Sequence, residues 1–156
     1  MRLTIAAMGR LKPGPEQTLI NNYARRIAAT GRPLALGPLD IHEIDERKAR
    51  DRDTQSVRLM ERIPAGATSI ALDERGKVMT SPEFAKLIER IRDSGTDELI
   101  FLIGGADGHT KDLRQKADHL LSFGSMVWPH MLARVMLTEQ LYRAVSILAG
   151  SPYHRE

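Results

Sequence analysis

The sequence predicts an α/β domain with a mostly parallel sheet of about five strands flanked by helices. Three observations predict it. Short apolar runs of strand length alternate with segments of helical periodicity along the whole chain. One run, Glu98 to Ile103 (ELIFLI), is apolar without alternation, as in a strand covered on both faces. Glycines stop the strands abruptly, at Gly9 and again at Gly104-Gly105.

Taken in order, Leu3 to Met8 is a first strand, and Glu16 to Ala29 a helix with Leu19, Ile20, Tyr23 and Ile27 on one face. Leu34 to Ile44 alternates as a strand does over Leu39, Ile41 and Ile44. The charged segment Asp45 to Asp53 reads as a solvated loop and helix face, leading into an amphipathic stretch around Val57, Leu59, Met60 and Ile63. Thr68 to Leu72 is a third strand and Asp73 to Lys77 a turn. Ser81 then caps a helix with Pro82 at its first position and Phe84, Leu87, Ile88 and Ile91 inward. After Glu98 to Ile103 comes a short helix from about Thr110, a last strand over Ser125 to Trp128, and a long helix from Met131 to Leu148. That final helix is apolar on more than one stripe, so it needs two partners: the sheet and a second subunit.

With 156 residues and 42% apolar content, the chain suits one compact domain spanning 1–156. There is no cysteine, which excludes disulfides and thiolate metal sites and fits a cytoplasmic protein. Arg10 and Lys12 interrupt the apolar start before a secretory core can form, and no run reaches the roughly 18 apolar residues of a membrane span. Net charge is +3, with 14 basic against 10 acidic side chains in residues 1–78 and 9 against 10 in the remainder. The basic half suits a polyanion, with Arg10, Lys12, Arg25 and Arg26 as candidates to reach phosphates, although so small an excess also occurs in proteins that bind no nucleic acid.

In open α/β sheets ligands bind at the carboxyl ends of strands, which directs attention to the loops after Leu72, Ile103 and Trp128. Gly104 and Gly105 allow close approach to backbone, and Gly108 adds freedom where the next helix begins; the same pair is also ordinary turn material. His42, His109, His119, His130 and His154 lack metal-ligand spacing, so no metal is expected, and no nucleophile elbow is present. The chain end is unusual. Pro152-Tyr153-His154-Arg155-Glu156 gathers an aromatic ring, an imidazole, a guanidinium and a carboxylate where sequences are usually bland, though five polar residues also make an ordinary frayed terminus.

Several of these pieces run in the order of a known family. They are the strand ending in Gly9, Leu72-Asp73-x-x-Gly76-Lys77, Leu102-Ile103-Gly104-Gly105-x-Asp107-Gly108 and Leu121-Ser122 leading to Pro129-His130. Arg134-Val135, Glu139-Gln140-x-Tyr142-Arg143-Ala144 and Pro152-Tyr153-His154-Arg155 follow. The chain resembles the ribosomal RNA large subunit methyltransferase H family, SPOUT-superfamily enzymes that methylate N3 of a pseudouridine in 23S rRNA. The resemblance implies a single SPOUT domain with a C-terminal trefoil knot, S-adenosylmethionine as cofactor and a homodimer that completes the active site. It also implies the helix 69 stem-loop of 23S rRNA within the 70S ribosome as substrate.

Carried over by position, the cofactor residues would be Leu72, Gly104, Phe123, Gly124, Ser125, Met126, Val127 and Trp128. The catalytic residues would be His154, Arg155, Tyr153 and Arg134: His154 to accept the N3 proton or orient a water that does, Arg155 or Arg134 to stabilise charge on the ring oxygens, and Tyr153 to stack on the base. Trp128 stands where the family has a smaller apolar or aromatic residue, and Ser151 where a larger one is frequent. The alternatives are a non-catalytic nucleotide- or RNA-binding module of the ribosome and a SPOUT methyltransferase acting on tRNA.

Overall fold

The structure, a computed structural model, describes residues 1–155; Glu156 of the tail lies outside the described residues. Five strands form one all-parallel sheet: β1 (Arg2–Met8), β2 (Leu39–Ile44), β3 (Thr68–Val78), β4 (Glu98–Ile103) and β5 (His119–Ser122), in the order β2-β1-β4-β3-β5. Between and after them run α1 (Pro15–Gly31), α2 (Arg52–Met60), α3 (Ser81–Asp93), α4 (Lys111–Lys116) and α5 (His130–Leu148).

Strand alternation sorts the apolar residues into two layers. On one face Leu3, Ile5, Leu99, Phe101 and Ile103 meet α1, α3 and α5 through Ile27, Phe84, Ile88, Leu137 and Leu141. On the other, Ala6, Met8, Ile100 and Leu102 meet Leu59 of α2 and Leu113 of α4. The absence of alternation in Glu98 to Ile103 has this cause: β4 is central and covered on both sides. Phe84 and Phe101 pack edge to face with ring centroids 6.1 Å apart, a favoured aromatic arrangement. Among the described residues no helix is long and apolar enough to cross a membrane.

Four boundaries differ from the sequence expectation. The last strand is His119–Ser122, and Ser125 to Trp128 is an exposed loop. Its Met126-Val127-Trp128 run is apolar yet pairs with no strand, because Gly124 turns the chain away from the sheet with φ +101°. β3 continues past Leu72 through the expected turn to Val78, with a register shift against β5 between Leu72 and Lys77. There Gly76 approaches β5 so closely that a Cβ would lie 2.6 Å from the Leu120 carbonyl carbon.

The second strand starts only at Leu39, after a single 3-10 turn over Arg32–Leu34. The cap of α3 is Thr80, one residue before Ser81. Its side chain receives the Glu83 N–H at 3.3 Å, while the Glu83 carboxylate receives the Thr80 N–H at 2.8 Å, a reciprocal capping box. Ser81 instead donates to Gln140 Oε1 at 2.7 Å, tying α3 to α5. The second face of α5 is largely taken within the chain, by α1 and α3.

Candidate active site

The carboxyl ends of β4, β3 and β5 border a cleft of about 410 Å³, within the size range of small-molecule sites. Its walls are the β3 segment 72–75, the loop after β4 from Gly105 to His109, and the loop after β5. Arg52 of α2, Arg114 of α4 and Ala133 of α5 complete it. Leu72, Met126, Val127 and Trp128 give the lining apolar surface, while Asp73, Glu74, Asp107, Arg52 and Arg75 bring charges of both signs to it.

Polar contacts fix the three loops against one another. Asp73, whose side chain is almost wholly buried, receives the Arg75 N–H at 3.0 Å and lies 3.8 Å from Arg114. Arg114 also donates to the His109 carbonyl, joining β3, the loop after β4 and α4. Ser122 Oγ receives the Gly124 N–H at 3.1 Å and donates to the Gly124 carbonyl at 3.3 Å, closing the start of the loop after β5.

Two buried polar side chains lie beneath the glycine pair. A Cβ on Gly105 would stand 2.7 Å from Gln55 Oε1, and one on Gly104 would stand 3.2 Å from His109 Cε1 and from the Gly108 carbonyl. The pair is therefore glycine because the protein's own groups crowd it from behind. His109 is buried, and neither ring nitrogen makes a hydrogen bond of good geometry. Burial lowers its pKa and keeps it neutral; Asp73 opposes this, as do backbone groups of Leu72 and Leu102, and Arg114 adds to it.

A second hollow, of about 450 Å³, opens on the opposite side of the segment Leu121 to Gly124, which it shares with the cleft. It is an apolar groove between Leu19 and Tyr23 of α1, Phe84 of α3, and Val135 and Met136 of α5, with Glu139 on its wall. The tail folds back beside it. Tyr153 donates to Glu139 at 3.0 Å and packs its ring edge-on to Tyr142 at 4.6 Å between centroids. Burial, with contributions from Tyr23 and Glu139, raises the Tyr153 pKa, so its hydroxyl keeps its proton. His154 Nδ1 lies 3.2 Å from an Arg143 N–H. Arginine only donates, so Nδ1 is the acceptor of this contact.

A family model described as "Predicted SPOUT methyltransferase" matches residues 1–154. The chain belongs to the SPOUT methyltransferase family. Named relatives, each a "Ribosomal RNA large subunit methyltransferase H", are similar over their full length. That of Dinoroseobacter shibae is 55% identical over 99% of both chains, and that of Ruegeria pomeroyi 52% over 99% of both. That of Maricaulis maris is 51% identical over 100% of both. A looser likeness, with TM-score 0.44 and 17% identity, links 95% of this chain to 58% of the SpoU methyltransferase AviRb from Streptomyces viridochromogenes.

In this SPOUT methyltransferase, six of the eight residues expected at the cofactor line the cleft: Leu72, Phe123, Gly124, Met126, Val127 and Trp128. Gly104 is buried just behind it, and Ser125 is exposed on the same loop without lining it. The four expected catalytic residues do not converge. Tyr153 and His154 sit on Glu139 and Arg143, and Arg155 is exposed beyond them. Arg134 is buried under the end of β1, with Nη2 donating to the Met8 and Gly9 carbonyls at 3.0 Å each. Positions 134 and 139 lie about 140° apart around a helix of 3.6 residues per turn, so the tail contact and Arg134 occupy different faces.

Sequence reasoning missed Gln55, His109 and Arg114. Each is a lone polar residue whose partner comes from a distant segment, and a single histidine after Gly108 carries no spacing signal. Among the described residues, no group of three or more metal-ligating side chains is placed to hold a metal ion.

Proposed function

We propose that this SPOUT methyltransferase transfers a methyl group from S-adenosylmethionine to N3 of a pseudouridine in the helix 69 stem-loop of 23S rRNA, acting as a cytoplasmic homodimer on the 70S ribosome. The observation that carries the reading is identity above half, over the full length, with relatives named for large-subunit ribosomal RNA methylation. The cleft agrees in size and in combining apolar side chains with charges of both signs, as a nucleoside bearing an amino-acid tail requires. Bound there, the cofactor supplies a methyl group already activated on a sulfonium.

The remaining task for the chain is alignment and removal of one proton. Leu72, Gly104 and residues 123–128 would hold the adenosyl group, the backbone of the glycine loop meeting its polar edge. His154 would take the N3 proton at Nδ1, which requires that nitrogen to exchange Arg143 for the base. Arg155 would stabilise charge on the ring oxygens, and Tyr153 would stack on the base.

The tail lies on the groove side of Leu121 to Gly124, away from its own cleft, which supports a site completed by a second subunit. Leu19, Val78, Met126, Val127 and Leu132 are large apolar side chains left exposed on a single chain, as a dimer interface needs. The C-terminal trefoil knot belongs to the same proposal. It is supported by the match of residues 1–154 to the SPOUT methyltransferase family model.

The test is incubation with labelled S-adenosylmethionine and, in parallel, 70S ribosomes with and without pseudouridine at the target, and total tRNA. Label in 23S rRNA only when pseudouridine is present supports the reading. Label in tRNA, or none anywhere, overturns it in favour of a tRNA enzyme or a non-catalytic RNA-binding module.

A further inference from the structure

A buried guanidinium is expensive in free energy unless paired and hydrogen-bonded, and the tail-based chemistry proposed above makes no use of Arg134. The side chain is 1% exposed. Burial lowers its pKa, against the pull of Glu43 and Glu46. Its position explains what it holds. The two carbonyls it binds, Met8 and Gly9, are where the chain leaves β1, and Gly9 turns there with φ +84°.

Glu43, on the neighbouring strand β2, uses both carboxylate oxygens. One lies 3.7 Å from Arg134 Nη1, and the other receives the Leu11 N–H at 2.8 Å. Glu46 Oε1 and His130 Nε2, 3.7 Å apart, close over Gly9 so tightly that a Cβ there would stand 3.1 Å from the first and 3.4 Å from the second. Residues 9–11 are thus gripped from β2, from the turn after it and from α5.

What the grip presents are Arg10 and Lys12, both exposed and, among the described residues, in no ion pair. The segment has little order of its own. Pro13-Gly14 follows, and α1 begins at Pro15 without a side-chain cap at Gly14. A phosphate-binding pair on so plain a loop would spend binding energy on ordering itself unless something preorganised it.

We infer that Arg134 and Glu43 are positioning residues that fix the loop after β1, so that Arg10 and Lys12 meet phosphates of the RNA substrate as a preset pair. The inference rests on the RNA reading above. It also separates Arg134 from the groups that touch the reacting base.

The test is steady-state methylation at saturating S-adenosylmethionine with varied 70S ribosomes. Glu43→Gln is expected to raise KM for ribosomes about 5-fold, the scale of one or two phosphate contacts, with kcat and the cofactor Kd unchanged. The double variant R10A/K12A should give a similar rise and flatten the salt dependence of KM. The triple variant should rise no further, because the cations that Glu43 places are gone.

Multiplying effects in the triple variant, an unaltered KM in Glu43→Gln, or a parallel loss of cofactor affinity would overturn the inference. If Glu43→Gln melts before assay, Arg134→Lys replaces it in the same cycle with the same reading. A wild-type chain that labels no ribosome refutes the RNA reading itself; an active wild type with additive variants refutes only this inference.

Discussion

Tyr153 donates its hydroxyl hydrogen to Glu139 Oε1 at 3.0 Å, the oxygen that also receives two N–H groups of Arg143 at 3.0 and 2.6 Å. One carboxylate oxygen therefore anchors both the tail and the arginine that holds His154. Tyr153→Phe should lower stability by about 1 kcal/mol, the usual net value of a hydrogen bond, or roughly 2–4 °C in Tm for a chain this size. Glu139→Gln should lower Tm further, since it also removes the ion pair with Arg143. Both should reduce methyl transfer while leaving cofactor affinity unchanged, which thermal melts, turnover assays and calorimetric titration check together.

Gly105→Ala and Gly76→Ala separate side-chain crowding from backbone crowding. At Gly105 the obstacle is Gln55 Oε1, the end of a side chain that can shift, so a loss of about 1–3 kcal/mol is expected. In a denaturant double-mutant cycle with Gln55→Ala the two losses should be less than additive. At Gly76 the obstacle is the backbone of Leu120 and Leu121, which cannot yield without parting β3 from β5. Gly76→Ala should be the more destabilising of the two, and no single side-chain truncation should rescue it.

His109 makes stability depend on pH in a defined direction. Burial lowers its pKa in the folded chain below the ordinary value of 6.5, so in the window between the two the unfolded chain binds more protons. Stability is then full above about pH 6.5, the unfolded histidine value, and declines as pH falls through that window. Denaturant unfolding between pH 7.5 and 5.5 should show this slope in the wild type and a flatter one in His109→Leu. Identical slopes would show that the fold does not resist protonation of this ring.

Trp128 is the sole tryptophan of the chain and lines the cleft, partly exposed. Binding of S-adenosylmethionine should therefore change the intrinsic fluorescence in a saturable manner, and Trp128→Phe should abolish the signal while retaining binding measured by calorimetry. A wild-type emission unmoved at saturating cofactor would place the ligand elsewhere.

The glycine loop after β4 was legible from the strand pattern, because a parallel sheet offers ligands the loops at its carboxyl ends; the other two walls were not, since β3 runs on past Leu72 and Ser125 to Trp128 is the loop after β5 rather than a strand. The tail was legible only as a composition. Nothing in Pro152 to Arg155 reveals that Tyr153 would fold back on Glu139, since that contact depends on how far α5 runs and which side its end faces. Arg134 misled for the same reason: an arginine near a helix start reads the same whether it meets substrate or the carbonyls of Met8 and Gly9.

Local chemistry in the sequence by itself determined the class of fold, the central place of Glu98 to Ile103, most helices to within about one residue of their starts, and the glycine loop after β4. Hydrophobic periodicity and turn residues act over a few positions, so they can be read there. Tertiary structure alone decided that β5 is His119–Ser122 rather than Ser125 to Trp128, and that Gly104 and Gly105 are shaped from behind by His109 and Gln55. It alone placed Arg134 and Glu43 at the loop after β1, 91 positions apart in the chain but 3.7 Å apart in space. Such pairings are set by strand order and helix packing across the whole sheet, which no short window of sequence contains.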